Sequence, residues 1–251
     1  MCGTCGCGLA DESADKTAGH QHEAEGRRIA VELDLMARNN ALAAENRQFF
    51  DAHNIFALNL LSSPGAGKTS LLLATIERLK AHRQVSVIEG DQHTALDAEK
   101  IRQRCQHVHQ INTGKMCHLD AHMVGHALEH LQPPLDSLLF IENVGNLVCP
   151  AAFALGEHQR VVLLSTPEGE DKPLKYPDMF ASADCVLISK SDLLPHVPFD
   201  MQACRETLRR FSPQLPVFEV SAATGEGMDQ WLDWLNSQRA GELQPDRSAS
   251  G

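Results

Sequence analysis

Ile55-Phe56-Ala57-Leu58-Asn59-Leu60-Leu61-Ser62-Ser63-Pro64-Gly65-Ala66-Gly67-Lys68-Thr69-Ser70-Leu71 is the stretch that decides the fold. Ile55–Leu61 is a short apolar run, the pattern of a strand buried on both faces. Leu71–Leu79 follows helical spacing. Between a strand and a helix, small residues let backbone N–H groups turn inward around phosphates. Lys68 would then reach the terminal phosphates, and the Thr69 hydroxyl would bind Mg²⁺. Ser63, Gly65, Ala66, Gly67, Lys68, Thr69 and Ser70 are therefore the candidate nucleotide-binding residues of a P-loop. The usual motif opens on glycine where this chain has Ser62.

Outward from this loop, apolar strand-like runs alternate with amphipathic stretches. Gln84–Glu89, Ser137–Val144, Arg160–Thr166, Asp184–Ser189 and Val217–Ser221 read as strands. Ala98–Arg104, Leu119–His130, Met201–Phe211 and Met228–Asn236 read as helices. The alternation predicts an α/β fold with a mainly parallel sheet covered by helices on both faces. Residues 55–241 form this domain. A helical segment over 27–54 precedes it, where Ile29, Leu33 and Met36 keep helical spacing. Residues 1–26 read as a flexible arm, and 242–251 as a disordered tail.

Two further loops bear on the nucleotide. Leu187-Ile188-Ser189-Lys190-Ser191-Asp192 closes a strand-like run. The Asp192 carboxylate would accept from the N1–H and 2-amino donors of guanine, which adenine lacks. Lys190 and Asp192 match the Asn-Lys-x-Asp pattern of GTPases, with Ser189 where Asn is usual. Ser221 and Ala222 in Val220-Ser221-Ala222-Ala223 resemble the segment that covers guanine. Mg²⁺ needs further oxygen donors. Asp91 and Glu142 stand at the carboxyl ends of strands, where nucleotide sites form in such sheets. Thr69, Asp91 and Glu142 are the candidate Mg²⁺ residues, and these with Lys68 are the candidate catalytic residues.

The 251 residues carry a formal charge of −11. That disfavours phosphate backbones, so no nucleic-acid partner is expected. No apolar run is long enough to span a bilayer, and no secretory signal opens the chain, so a cytoplasmic location is expected. Eight cysteines in a reducing compartment point to metal rather than disulfides. Cys2, Cys5 and Cys7 crowd into a glycine-rich loop. With the terminal amine, His20 or His22, they offer four donors for Ni²⁺ or Zn²⁺. Cys117, His118 and Cys149 make a second candidate site with a position left open. His122 and His126 are possible helpers, placed with His118 on one helix face by four-residue spacing.

Together these pieces resemble the HypB family of hydrogenase maturation GTPases, over nearly the whole chain. The carriers are the Cys2/Cys5/Cys7 motif, the P-loop, Glu89-Gly90-Asp91-Gln92, Cys117-His118-Leu119-Asp120, Glu142–Pro150 and Glu168–Pro177. The resemblance implies a metal-regulated P-loop GTPase that hydrolyses GTP to GDP and delivers nickel to nickel–iron hydrogenase. It also implies a HypA-type nickel chaperone as partner, the hydrogenase large subunit as recipient, and a homodimer on GTP or metal loading. Two alternatives are a nickel- or zinc-buffering protein whose nucleotide site only sets conformation, and a urease-type nickel GTPase.

Overall fold

A computed structural model describes residues 33–242. The arm with Cys2, Cys5, Cys7, His20 and His22, and the tail from residue 243, lie outside the described residues.

Seven strands form one sheet in the order β3-β2-β4-β1-β5-β6-β7. They are β1 (Phe56–Ser62), β2 (Val85–Asp91), β3 (His107–Asn112), β4 (Leu138–Glu142), β5 (Gln159–Ser165), β6 (Cys185–Ser189) and β7 (Val217–Val220). Every pairing is parallel. Central strands are buried throughout, which is why they read as continuous apolar runs rather than alternating ones. The edge strand β3 escapes the sequence reading. His107-Val108-His109-Gln110-Ile111-Asn112 holds only two aliphatic residues and is half-buried along most of its length.

The helices are α1 (33–52), α2 (Lys68–Leu79), α3 (Leu96–Arg102), α4 (Ala121–Leu131), the short α5 (Lys172–Lys175) and α6 (Pro177–Ala181), α7 (Met201–Phe211) and α8 (Met228–Glu242). Phe56, Leu58 and Leu60 of β1 face a core shared with α2, α3 and α8. Ala57 and Leu61 point the other way, into clusters built with α1 and α4 and with α6 and α7. Strand periodicity thus apportions the sheet between two helical layers.

The buried stripe of α1 is Asn39, Ala43, Asn46 and Phe50, not the stripe expected through Leu33, which is 63% exposed. Its two asparagines are bound to backbone. Asn46 Nδ2 donates to Ala121 O at 2.8 Å and to Leu155 O at 2.9 Å. Asn39 Oδ1 accepts from Ala121 N at 2.9 Å, and its Nδ2 donates to Ala154 O at 2.8 Å. Arg47 Nε donates to Gly156 O at 2.8 Å. The helix thereby fixes both the start of α4 and the approach to β5.

Gly156 makes this docking possible. Its φ is +97°, and a Cβ there would lie 2.6 Å from Ala43 O and 2.9 Å from Arg47 N. Gly156→Ala combines left-handed strain with a clash against backbone. It should lower stability by about 3 kcal/mol and Tm by roughly 10 °C. Thermal unfolding followed by circular dichroism checks this.

Candidate functional site

β4 is inserted between β1 and β2, so the carboxyl ends of three strands converge on one cleft. The cleft has a volume of about 600 Å³ and is lined by Gly65, Gly67, Lys68, Thr69, Asp91 and Glu142 among others. Gly65 and Gly67 adopt φ of +76° and +94°, a conformation that costs glycine little. This turn aims the first N–H groups of α2 into the cleft.

Lys68 is buried, and its Nζ donates to Ser62 Oγ at 2.9 Å. Ser62, where the motif usually has glycine, thus holds the lysine in the loop. Burial pulls the Lys68 ammonium below its usual range, while Glu142, Asp97, Glu168 and Glu89 oppose that pull. Thr69 Oγ1 donates to Glu142 Oε1 at 2.6 Å. Glu142 lies in register beside Glu89 on the neighbouring strand. Both carboxylates are buried, and Glu142 Oε2 and Glu89 Oε2 have no hydrogen-bond partner among the described residues. Burial pushes Glu142 upward against the pull of Lys68 and the Thr69 hydrogen bond. It pushes Glu89 to about 8, helped by Glu142, Asp91 and Asp97. Unpartnered acidic oxygens beside a threonine hydroxyl fit a hard divalent cation such as Mg²⁺. Asp91 stands at the rim. Burial works against its ionisation, but hydrogen bonds from Thr94 and His93 hold it below its ordinary value.

The sequence reading did not single out Glu89. Its signal is parity: two positions before Asp91, it continues the inward face of Val85 and Val87.

In the loop after β6, Lys190 takes a left-handed backbone with φ of +58°. Its Nζ donates to Gly65 O at 2.7 Å. Ser189 Oγ donates to Ala66 O at 2.7 Å, so serine in place of asparagine still ties this loop to the P-loop. Asp192 Oδ1 accepts from Ser221 Oγ at 2.6 Å, which holds the carboxylate beside the Ser221-Ala222 turn. Ser63 Oγ donates to Glu168 Oε1, anchoring the P-loop to the Glu168–Pro177 stretch. Ser70 lines the cleft from the first turn of α2.

Cys117, His118 and Cys149 come together, with one ligand atom from each within 4.8 Å of the others. His118 Nε2 is buried and has no hydrogen-bond partner among the described residues. A hydrogen bond with Cys149, and then burial, raises the Cys117 thiol above its usual range. Two thiols and an unpartnered imidazole nitrogen form a donor set suited to Ni²⁺ or Zn²⁺. The loops are joined side by side: Asn146 Nδ2 donates to Cys117 O at 3.3 Å, and Leu119 N donates to Asn143 Oδ1 at 3.0 Å.

The proposed helpers do not join this set. The Asp120 carboxylate caps α4 by accepting from Met123 N at 2.8 Å, so the helix starts at Ala121. His118 is therefore in the preceding loop and shares no helix face with His122 and His126. His126 instead packs against His130.

Residues 56–219 match the family described as CobW/HypB/UreG, nucleotide-binding domain. A P-loop nucleotide-binding protein is the class that fold and cleft define. The chain is 56% identical over 219 residues to "Hydrogenase maturation factor HypB" of Azotobacter chroococcum mcd 1, covering 87% of this chain and 72% of the relative. The protein of the same name from Escherichia coli K12 is 52% identical over 213 residues, covering 85% and 73%. The crystal structure of HypB from Helicobacter pylori in complex with nickel aligns with a TM-score of 0.77 at 37% identity, over 84% of this chain and 99% of that one. The chain belongs to the HypB family of hydrogenase maturation factors. Among the described residues, no helix is long and apolar enough to cross a membrane.

Glu89 gives the fold a measurable pH dependence. Its folded value of about 8 lies above the ordinary 4.5, so folding takes up a proton between the two. That contribution is complete below the ordinary value and is lost as pH rises toward the folded one. Without nucleotide or divalent cation, stability should fall between about pH 5 and pH 8, and Glu89→Gln should flatten the decline. Urea denaturation at a series of pH values checks this.

Proposed function

We propose that this chain is a GTPase that couples GTP hydrolysis to handover of nickel during maturation of a nickel–iron hydrogenase. One observation carries the reading. Glu142 in the nucleotide cleft and Cys149 in the thiol–imidazole site belong to one short segment, and that segment touches the P-loop. A Cβ on Gly145 would lie 2.8 Å from Pro64 Cα. A shift of that segment on nucleotide binding would therefore reach the metal ligands.

The roles follow from the geometry. Backbone N–H groups of Gly65–Ser70 would bind the phosphates, and Lys68 would exchange Ser62 for the β- and γ-phosphate oxygens. Thr69 and Glu142 would hold Mg²⁺, with Asp91 acting through water. Bound there, the ion neutralises charge on the phosphates. Glu89 would orient the attacking water and take its proton as the water oxygen bonds the γ-phosphorus, while the bond from that phosphorus to the β–γ bridging oxygen breaks and leaves GDP. Among the described residues, no arginine lines the cleft, so turnover should be slow. Asp192 would select guanine, with Lys190, Ser221 and Ala222 framing the base.

Nickel is the cargo. Cys2, Cys5 and Cys7 would capture it in the arm, and Cys117, His118 and Cys149 would hold it under nucleotide control. Zn²⁺ suits the latter donors as well. A fourth ligand from water or a second copy would make this site dimer-dependent. A HypA-type nickel chaperone and the hydrogenase large subunit are the proposed partners.

Two outcomes are expected. Asp192→Asn should weaken GDP binding about 10- to 100-fold and strengthen binding of xanthosine diphosphate, as competition assays would show. Wild-type protein that binds ADP as well as GDP would contradict the assignment. In a chain lacking Cys2, Cys5 and Cys7, nickel affinity should differ between GDP and a non-hydrolysable GTP analogue by about 5- to 150-fold. Cys149→Ala should abolish that difference. Equal affinities in the two nucleotide states would remove the coupling.

A further inference from the structure

On the face of α4 away from the core, His122, His126 and His130 recur every four residues and all three are exposed. One turn of helix separates each from the next, so they form a single stripe. β3 packs beside this helix and contributes His109, which is half-buried. The His109 and His130 rings stack at 5.5 Å between centroids with 7° between planes. His126 meets His130 edge-on at 4.8 Å. The nucleotide cleft and the thiol–imidazole site make no use of these three rings.

We propose that His109, His126 and His130 form a separate, solvent-facing site for an exchangeable divalent transition-metal ion, with water completing its coordination. Histidines four apart on one helix face point their nitrogens at a common ion, as in metal-binding helices. A third imidazole from the adjoining strand supplies a ligand from a different direction. Burial, and then the neighbouring His130 and His126, hold the His109 imidazole below its ordinary range, which favours the neutral ring with a free lone pair. Apolar packing does not explain the cluster, because two of the rings face water. Nitrogen donors without thiolate suit Ni²⁺, Zn²⁺ or Cu²⁺. Among the described residues, only Cys117, His118 and Cys149 already have ligand atoms within 4.8 Å of one another. The exposed His126 and His130 must therefore rotate about their side-chain bonds, a nanosecond motion at a surface. That rotation and the access to water make the site weak and fast-exchanging, a place where metal is gathered rather than kept. His122 extends the stripe toward the loop that carries His118.

The test uses the full chain with Cys2, Cys5, Cys7, Cys117 and Cys149 replaced by serine, so that thiolate sites do not report. Ni²⁺ is titrated calorimetrically, and circular dichroism verifies the fold of each variant. His126→Ala and His130→Ala should each weaken one Ni²⁺-binding event by about tenfold or more, since even outer-shell losses at metal sites cost that much. His82→Ala, at an exposed histidine after α2, should leave the isotherm unchanged. Ni²⁺ should also broaden the His109 ring resonances, and His130→Ala should abolish that broadening. The proposal is overturned by identical isotherms for His82→Ala and His130→Ala, or by His109 resonances that do not respond to Ni²⁺.

Discussion

Two carboxylates buried side by side, Glu89 and Glu142, are the constraint on which the nucleotide cleft depends. Parallel pairing of β2 with β4 puts them in register, and both turn toward the layer that holds α2. Lys68 alone cannot balance two anions in a site withdrawn from water, so one of them retains a proton near neutrality. A divalent cation arriving with a polyphosphate would resolve the conflict without that proton. That charge balance suits one more cation near the strand ends, and an anion on the N–H groups of α2. The strand order matters here. Only because β4 lies between β1 and β2 do the P-loop, Glu142 and Glu89 share one cleft.

From that cleft, short polar ties carry any rearrangement outward. Asn143 follows Glu142, and its Oδ1 accepts from Leu119 N, while Asn146 Oδ1 accepts from Val148 N and its Nδ2 donates to Cys117 O. Asn143 Nδ2 also donates to Asn59 Oδ1, and Asn59 Nδ2 to Glu157 Oε1, so the segment is braced against the middle of the sheet. A chain braced at Asn143 and pressed on Pro64 at Gly145 has few ways to move, which favours two discrete arrangements over gradual drift. The loop after β6, proposed to meet the base, is tied to the same P-loop through Ser189 and Lys190. Hydrogen bonds thus link the loop after β6 directly to the P-loop, and the segment from Glu142 to Cys149 extends the linkage to the thiols.

Much of this was legible in the sequence, for a physical reason. The P-loop is contiguous, and its function lies in backbone conformation that glycine spacing reveals. The parallel sheet was legible because strands buried on both faces are apolar throughout. The pairing of Cys117 and His118 with Cys149 was proposed from residue type and order, and the geometry brings them together. What escaped depends on the third dimension. Glu89 becomes notable only beside Glu142 across a strand pair. β3 carries too few apolar residues to announce an edge strand. The α1 stripe is partly polar because its asparagines satisfy backbone groups of other elements, which periodicity of apolar residues does not register. His118 was assigned to a helix because four-residue spacing ignores the Asp120 cap.

The central claim is that the buried carboxylate pair is built for a divalent cation accompanying a guanine nucleotide. A site-resolved NMR titration of the Glu89 and Glu142 carboxyl groups tests it most directly. Without ligand, Glu89 should titrate with a midpoint of about 8. With Mg²⁺ and a non-hydrolysable GTP analogue, both groups should stay ionised through neutrality and into the acid range. An ordinary carboxylate midpoint for Glu89 in both states, unmoved by nucleotide and Mg²⁺, would contradict the account.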